Sequence, residues 1–245
     1  MTILFEKRQL VAPGELLAEG DYIAGDNTYK DGGKIFASRV GLANIESQRV
    51  HVVAIKGGYI PSVGDLVIGK VTDITLSGWI VDINSPYESM LFVSEAIERR
   101  FSSQKEVLTQ IYNIGDLIMA KIIAYDRTRG PVLTTRGAGL GKITRGKVIE
   151  VTPAKIPRFI GKQGSMITML KRETNSYIGI GQNGRILVSS ANPENEDIAI
   201  QAIQKIEKEA HILGLTDRIN ALIKEAKSKR ENKIGSNSTS NKINR

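Results

Sequence analysis

Apolar residues along the first 136 positions come in short runs separated by turn signals, a pattern that suits strands rather than helices. Residues 1–58 carry Pro13-Gly14, Gly25-Asp26-Asn27, Asp31-Gly32-Gly33 and Gly57-Gly58, with Ile35-Phe36-Ala37 and Val50-His51-Val52-Val53-Ala54-Ile55 between them. Residues 61–136 continue in that style through Leu66-Val67-Ile68, Val71-Thr72-Asp73-Ile74, Trp79-Ile80-Val81-Asp82-Ile83, Leu117 to Ile123 and Val132-Leu133-Thr134-Thr135. Five such runs predict a small closed barrel of the OB kind, since closure removes exposed strand edges. Residues 94–112, with Arg99, Arg100 and Lys105, interrupt the strands with a more helical or loop-like stretch.

The pattern changes after Gly141. A strand over Gly146–Val151 leads through Pro153 and Pro157 to Phe159-Ile160-Gly161-Lys162-Gln163-Gly164, whose last glycine opens a helix with Met166, Ile167, Met169 and Leu170 on its apolar face. Two strands, Tyr177–Ile180 and Arg185–Val188, follow around Asn183-Gly184, the strongest short hairpin signal. Pro193 starts a long helix that carries Ile198, Ala199, Ala202, Ile203 and Ile206 on one face, and a last helical segment spans about Asp217 to Ala226. From Lys229 the chain is Lys, Ser, Asn and Thr with almost no apolar residues, which predicts a disordered basic tail over 229–245. The expected architecture is multidomain, mainly β and then α+β: a β module over 1–58, a five-stranded barrel over 61–136, and an α+β domain over 142–226.

Composition removes several classes of function. The 245 residues include no Cys and two His, so thiolate zinc sites, iron–sulfur clusters and cysteine nucleophiles are excluded and metal catalysis is poorly supplied. His51 sits in an apolar strand run and His211 near a helix end, as structural or surface histidines do. No carboxylate pair can be placed in one pocket from spacing, and the glycines of 137–141 lack the Gly-Lys-Ser/Thr ending of a phosphate-binding loop. No cofactor and no metal are therefore expected. No apolar run approaches the ~18–20 residues that span a bilayer, and the charged start Glu6-Lys7-Arg8 argues against a secretory signal, so the expected compartment is the cytoplasm.

The net charge of +8 is unevenly spread. Residues 1–141 are near neutral, whereas 142–190 hold nine basic and two acidic residues, and 224–245 hold seven and two. A basic block of that size is the electrostatic footprint of a phosphate backbone.

Within that block, Ile160-Gly161-Lys162-Gln163-Gly164, set in the order strand, helix, loop, helix, strand, strand, helix, resembles a KH domain. In that family the G-x-x-G loop clamps about four nucleotides, its glycines letting main-chain N–H groups approach phosphate. The resemblance implies RNA contacts at Gly161, Lys162, Gln163 and Gly164, and the neighbouring Lys155, Arg158, Lys171 and Arg172, with Arg145 and Lys147, add charge. A helix face such as Lys171-Arg172 is, against that, usually just solvated.

The stretch 61–136 looks like an S1-type OB-fold RNA-binding domain: Val63-Gly64-Asp65 and Ile114-Gly115-Asp116 each start a strand at that family's spacing, with Gly78-Trp79-Ile80 and Leu91-Phe92-Val93-Ser94 between them. Typical members place aromatic residues beside the glycine and two residues after it, and a histidine before the apolar-Ser pair; Ser77, Ile80 and Phe92 stand there in this chain. Phe92 remains a stacking candidate, while Trp79, one position out of phase, belongs to the opposite strand face and hence to the core. Arg127 and Arg129, in the last hairpin, are candidate phosphate contacts, though exposed turn arginines are more often only solvated.

The order of β module, S1-type barrel and single KH domain is similar, over about residues 5–215, to the RNA-binding cap subunits of the archaeal RNA exosome, specifically the KH-containing kind, since zero Cys excludes the zinc-ribbon kind. That resemblance implies a non-catalytic protein. Its residues 1–58 would attach to a hexameric ring of RNase-PH-type subunits, three cap copies per ring, with the other cap subunit able to mix in. Its S1 and KH modules would bind single-stranded RNA and feed 3′ ends into the ring for degradation or tailing. The rival is a free-standing S1/KH regulator of translation or transcription; a nuclease in its own right is a third class, for which no metal-binding carboxylate cluster is visible.

Overall fold

The computed structural model describes residues 2–54, 58–97, 105–126, 128–209 and 214–240, with side chains for all of these but 105–107 and 229–240. The chain divides into two units, Met1–Gly58 and Tyr59–Arg245. Turn residues cut the first unit into short strands: β1 (Thr2–Ile3), β2 (Leu10–Val11), β3 (Leu16–Glu19), β4 (Ile23–Ala24), β5 (Thr28–Asp31), β6 (Lys34–Ala37), β7 (Gly41–Glu46) and β8 (Arg49–Ala54). They form two sheets, ordered β1-β3-β6-β5 and β2-β7-β8-β4. Leu17, Ala18, Ile35 and Ala37 of one sheet share a buried cluster with Val11, Ala43, Val50 and Val52 of the other, so the sheets meet through it. On the opposite face of the second sheet, Leu10 pairs with Leu42 and Leu42 with Val53. This row is open to solvent, with Leu10 59% and Val53 50% exposed. His51 also pairs with Asn44 on that sheet, their side chains 3.2 Å apart; His211 lies outside the described residues.

The second unit begins with a barrel built from β9 (Leu66–Ile74), β10 (Gly78–Asp82), β11 (Ser89–Phe92), β12 (Leu117–Asp126) and β13 (Gly130–Thr134), with helices α1 (Val93–Ala96) and α2 (Lys105–Ile111) inserted after β11. β9 pairs with both β10 and β12, and β13 with both β11 and β12, which closes the ring. Only the β11–β13 pair in this ring is parallel. The strand number agrees with the sequence pattern, but the assignment does not. The runs 66–68 and 71–74 are one strand, which continues through Gly69 because the Val81 side chain packs there: a Cβ at Gly69 would lie 2.3 Å from Val81 Cγ1. The fifth strand is Ser89–Phe92, too short and mixed in polarity to read as an apolar run. Trp79 is fully buried in the barrel core with Val81, Leu91, Ile118 and Leu133.

β14 (Gly141–Lys142) pairs with β12 and leads into a three-stranded antiparallel sheet of β15 (Lys147–Glu150), β16 (Tyr177–Ile180) and β17 (Arg185–Ser189), ordered β15-β17-β16. Helices α3 (Ile156–Ile160), α4 (Ser165–Thr174), α5 (Pro193–Glu209) and α6 (Leu215–Ser240) complete this domain. Ile178, Ile186 and Val188 on one side of the sheet bury Phe159, Met166, Leu170 and the apolar face of α5. Leu215, Ile219 and Ile223 bring α6 into the same core. The helix continues to Ser240, past Lys229 where the sequence reading starts a disordered tail. Lys229, Arg230, Glu231 and Lys233 are good helix formers, and extending an existing helix avoids the cost of nucleating one.

The other side of the sheet does not face solvent throughout. Val148 and Leu187 pack with Ile68, Met119 and Leu66 of the barrel, so the sheet is a layer between the domain's helices and the barrel wall. Among the described residues no helix is long and apolar enough to cross a membrane.

Candidate nucleic-acid interface

The strongest sequence motif becomes a tight exposed loop. α3 ends at Ile160, Gly161 follows at φ 74° and ψ 176°, and Gln163 and Gly164 are also left-handed, at φ 52° and 77°. Gly161 is required twice over: its φ disfavours any side chain, and a Cβ there would lie 2.8 Å from both Cβ and backbone N of Met166. Buried Phe159 and Met166 hold the loop from beneath, and Lys162 and Gln163 project into solvent. No side chain caps the start of α4. Main-chain donors at a helix start, the helix dipole and Lys162 thus converge on one point, which is the arrangement that attracts a phosphate.

The basic residues around this loop do not all stay with it. Arg158 and Lys162 are exposed and form no hydrogen bond or ion pair among the described residues. Lys155 instead donates to the Glu207 carbonyl at 2.8 Å, closing the end of α5. Lys147 pairs with Asp197 at 2.9 Å. Lys171 and Arg172 lie on the last turn of α4, about 9 Å along the axis from its start; Lys171 stands 5.5 Å from the centre of the Tyr177 ring, and Arg172 pairs with Glu173 at 3.0 Å. The structure therefore keeps Arg158, Gly161, Lys162, Gln163 and Gly164 along one helix end and loop, engages Lys155 with α5, and sets Lys171 and Arg172 at the far end of α4.

On the barrel, Phe92 ends β11 opposite Gly78 and is 38% exposed, while Ile80 on the same face is half-buried. Ser77 is exposed beside them, its carbonyl accepting from Val93 N–H at 3.0 Å. Trp79 points inward, its Nε1–H donating to the Tyr112 carbonyl at 3.0 Å and its ring edge-on to Tyr112. Arg129 is exposed in the β12–β13 hairpin, where Asp126 accepts from the Thr128 N–H and hydroxyl at 2.8 Å each. Those Thr128 donors, with the nearby Arg129 charge, hold the Asp126 carboxyl below its usual range. Arg127 lies outside the described residues.

Sequence reasoning missed the joint between barrel and α+β domain. Asn183, read from sequence only as half of a hairpin turn, is fully buried. Its amide donates to the Ile68 and Ile83 carbonyls at 2.8 and 2.9 Å and accepts from Ile68 N–H at 3.2 Å. Arg185 donates to the Asp82 carbonyl and carboxylate at 2.8 and 2.6 Å and to Glu150 at 3.0 Å. Burial alone would push the Asp82 carboxyl up, but hydrogen bonds from Arg185 and Asn84 and the charges of Arg185 and Lys70 hold it below its usual range. An arginine opening the apolar run Arg185-Ile186-Leu187-Val188 was the one visible sign.

Comparison with known proteins agrees with this geometry domain by domain. Residues 8–56 match the exosome RNA binding protein RRP4 N-terminal domain, 58–124 the RRP4 S1 domain and 146–205 the KH domain. An exosome complex component Rrp4 from Pyrococcus furiosus is 43% identical over 90% of this chain and 84% of its own length. The Rrp4 of Thermofilum pendens is 42% identical over 92% and 96%. The chain belongs to the Rrp4 family. A crystal structure described as an exosome complex RNA-binding protein superposes with a TM-score of 0.67 at 42% identity, covering 71% of this chain and 99% of that one. The Rrp4 fold of N-terminal β module, S1-type barrel and KH domain is thus the architecture expected from the strand and helix patterns together with the S1 and KH resemblances of this sequence.

Proposed function

We infer that this chain is an RNA-binding cap subunit of an exosome, a non-catalytic accessory that binds single-stranded RNA and feeds 3′ ends into a hexameric ring of RNase-PH-type subunits, three caps to a ring. The observation that carries the reading is the exposed loop Gly161–Gly164, with its free Lys162 and Arg158, inside a chain whose relatives are exosome components over most of their length. A loop that grips backbone rather than base edges lets a strand slide, which suits threading. Attachment to the ring falls to Met1–Gly58, where the open row of Leu10, Leu42 and Val53 offers apolar area that the near-neutral charge of this part does not reserve for RNA. A free-standing regulator is not favoured by the relatives. Among the described residues no group of three or more His, Asp and Glu side chains that would hold a metal ion is found.

The test pairs two measurements on the full chain. Fluorescence anisotropy with single-stranded RNA should show binding that weakens steeply with salt, and Lys162→Asp with Gln163→Asp should remove most of it; aspartate tolerates the left-handed backbone of position 163. Mixed with ring subunits, the chain should co-elute with them, and Leu10→Asp with Val53→Asp should abolish that while leaving RNA binding intact. Unchanged RNA affinity in the loop variant, or co-elution lost only on loop substitution, would refute the division of labour.

A further inference from the structure

The barrel covers only part of the KH sheet. Cross-strand pairing puts Tyr177 beside Ser189 and Gly179 beside Leu187, so all four lie on the face turned toward the barrel. Leu187 is buried there against Ile68 and Met119, but Tyr177, at the open end of the edge strand β16, keeps 51% of its surface exposed. Between that end and the connector that runs from Gly139 to Arg145 lies a groove of about 220 Å³, lined by Tyr177, Ser189, Leu187, Leu140, Thr144 and Arg145 among others. It is smaller than the ~300–1,000 Å³ of an enclosed small-molecule pocket and open along one side, which suits a flat group on a longer chain.

Its chemistry favours one kind of ligand. An exposed aromatic ring on a strand end is a stacking surface that accepts any base. Arg145 is exposed and makes no hydrogen bond or ion pair among the described residues, whereas Lys142 nearby is held by Asp116. Lys171 stands over the Tyr177 ring, and it lies on the last turn of α4, the helix whose first turn follows the Gly161–Gly164 loop. Two cations with no acidic partner among the described residues thus flank the exposed half of the Tyr177 ring, on the same domain as the Gly161–Gly164 loop.

We propose that this groove is a second nucleotide subsite, in which a base of the RNA strand leaving the Gly161–Gly164 loop stacks on Tyr177 while Arg145 holds an adjacent phosphate. It lies at the β16 edge of the sheet, which Lys171 of α4 reaches, and rests on the reading of the chain as an RNA-binding subunit. The subsite lengthens the bound segment. It therefore acts on long strands and not on short ones.

The full-length protein is titrated with fluorescent oligoadenylates, a tetranucleotide and a decanucleotide. Tyr177→Ala and Arg145→Gln should each weaken decanucleotide binding about fivefold or more, leave the tetranucleotide unchanged, and leave the melting temperature unchanged because both side chains are at the surface. Tyr177→Phe should bind like the parent. Lys162→Asp with Gln163→Asp should weaken both RNAs. If Tyr177→Ala binds the decanucleotide like the parent while the loop variant loses it, the subsite is wrong and the loop stands. Failure of the parent to bind either RNA sinks both.

Discussion

The barrel and the KH domain share one compact unit and were both read from sequence as RNA-binding modules, yet their surfaces are built differently. The KH loop presents main-chain donors and, among the described residues, unpaired cations, on a backbone that turns through three positive-φ residues. The barrel buries its tryptophan in its own core, leaves Phe92 partly exposed on its outer face, and turns the Ile68, Asp82 and Ile83 carbonyls toward the KH hairpin. On the proposed function, the KH loop is the main grip and the barrel adds to it by fixing the hairpin behind that domain. A shared RNA-binding label does not make two modules contribute equally, because a side chain one position out of phase on a strand moves from solvent to core.

The sharpest way to break this contrast is to remove the barrel's centre. Trp79→Ala should cost ~3–5 kcal/mol of stability, seen as a large drop in urea midpoint, since it leaves a cavity and an unmet Tyr112 carbonyl. Loss of RNA affinity without loss of stability would mean the ring serves RNA after all. The converse substitution, Lys162→Asp with Gln163→Asp, should lower RNA affinity about tenfold or more and flatten its salt dependence, with the melting temperature unchanged. Next in size is the joint: Asn183→Ala removes the amide donor to the Ile83 carbonyl and one of two side-chain donors to the Ile68 carbonyl, at ~1–3 kcal/mol. Limited proteolysis in the connector 137–145 should then accelerate, and affinity for long RNA should fall more than for a tetranucleotide, because two rigidly joined surfaces bind as one.

Two smaller effects sharpen the picture. Asp82 has a folded pKa below its unfolded one, so it adds stability above about pH 4 that is lost as pH falls toward the folded value. Thermal melts between about pH 6 and pH 3 should therefore show a steeper loss in the parent than in Asp82→Asn, and equal slopes would remove Asp82 from the joint. Phe92→Ala should change RNA affinity by about threefold or less, given how little of the barrel's aromatic surface is available for stacking. A larger drop, measured by the same titration, would restore the barrel as an equal partner.

Much of this was legible in one sequence. Periodicity placed α4, α5, β16 and β17, because an apolar face repeating at 3.6 or 2 residues is imposed by burial along each element separately. Spacing around Gly161 and Gly164 identified the loop, since positive φ at short range is a local requirement that few residues satisfy. The inward turn of Trp79 followed from strand alternation alone. The fifth barrel strand did not: Ser89–Phe92 is held by its neighbours Trp79 and Leu133, not by its own pattern. The basic block was counted correctly, but its use was not visible, because Lys155, Lys147 and Arg172 find partners that are distant in sequence or settle on a neighbouring acid. Local order depends on interactions within a few residues, which the chain writes in its own pattern. Asn183 and Arg185 owe their roles to carbonyls about a hundred residues away, and such roles exist only once the sheet has met the barrel.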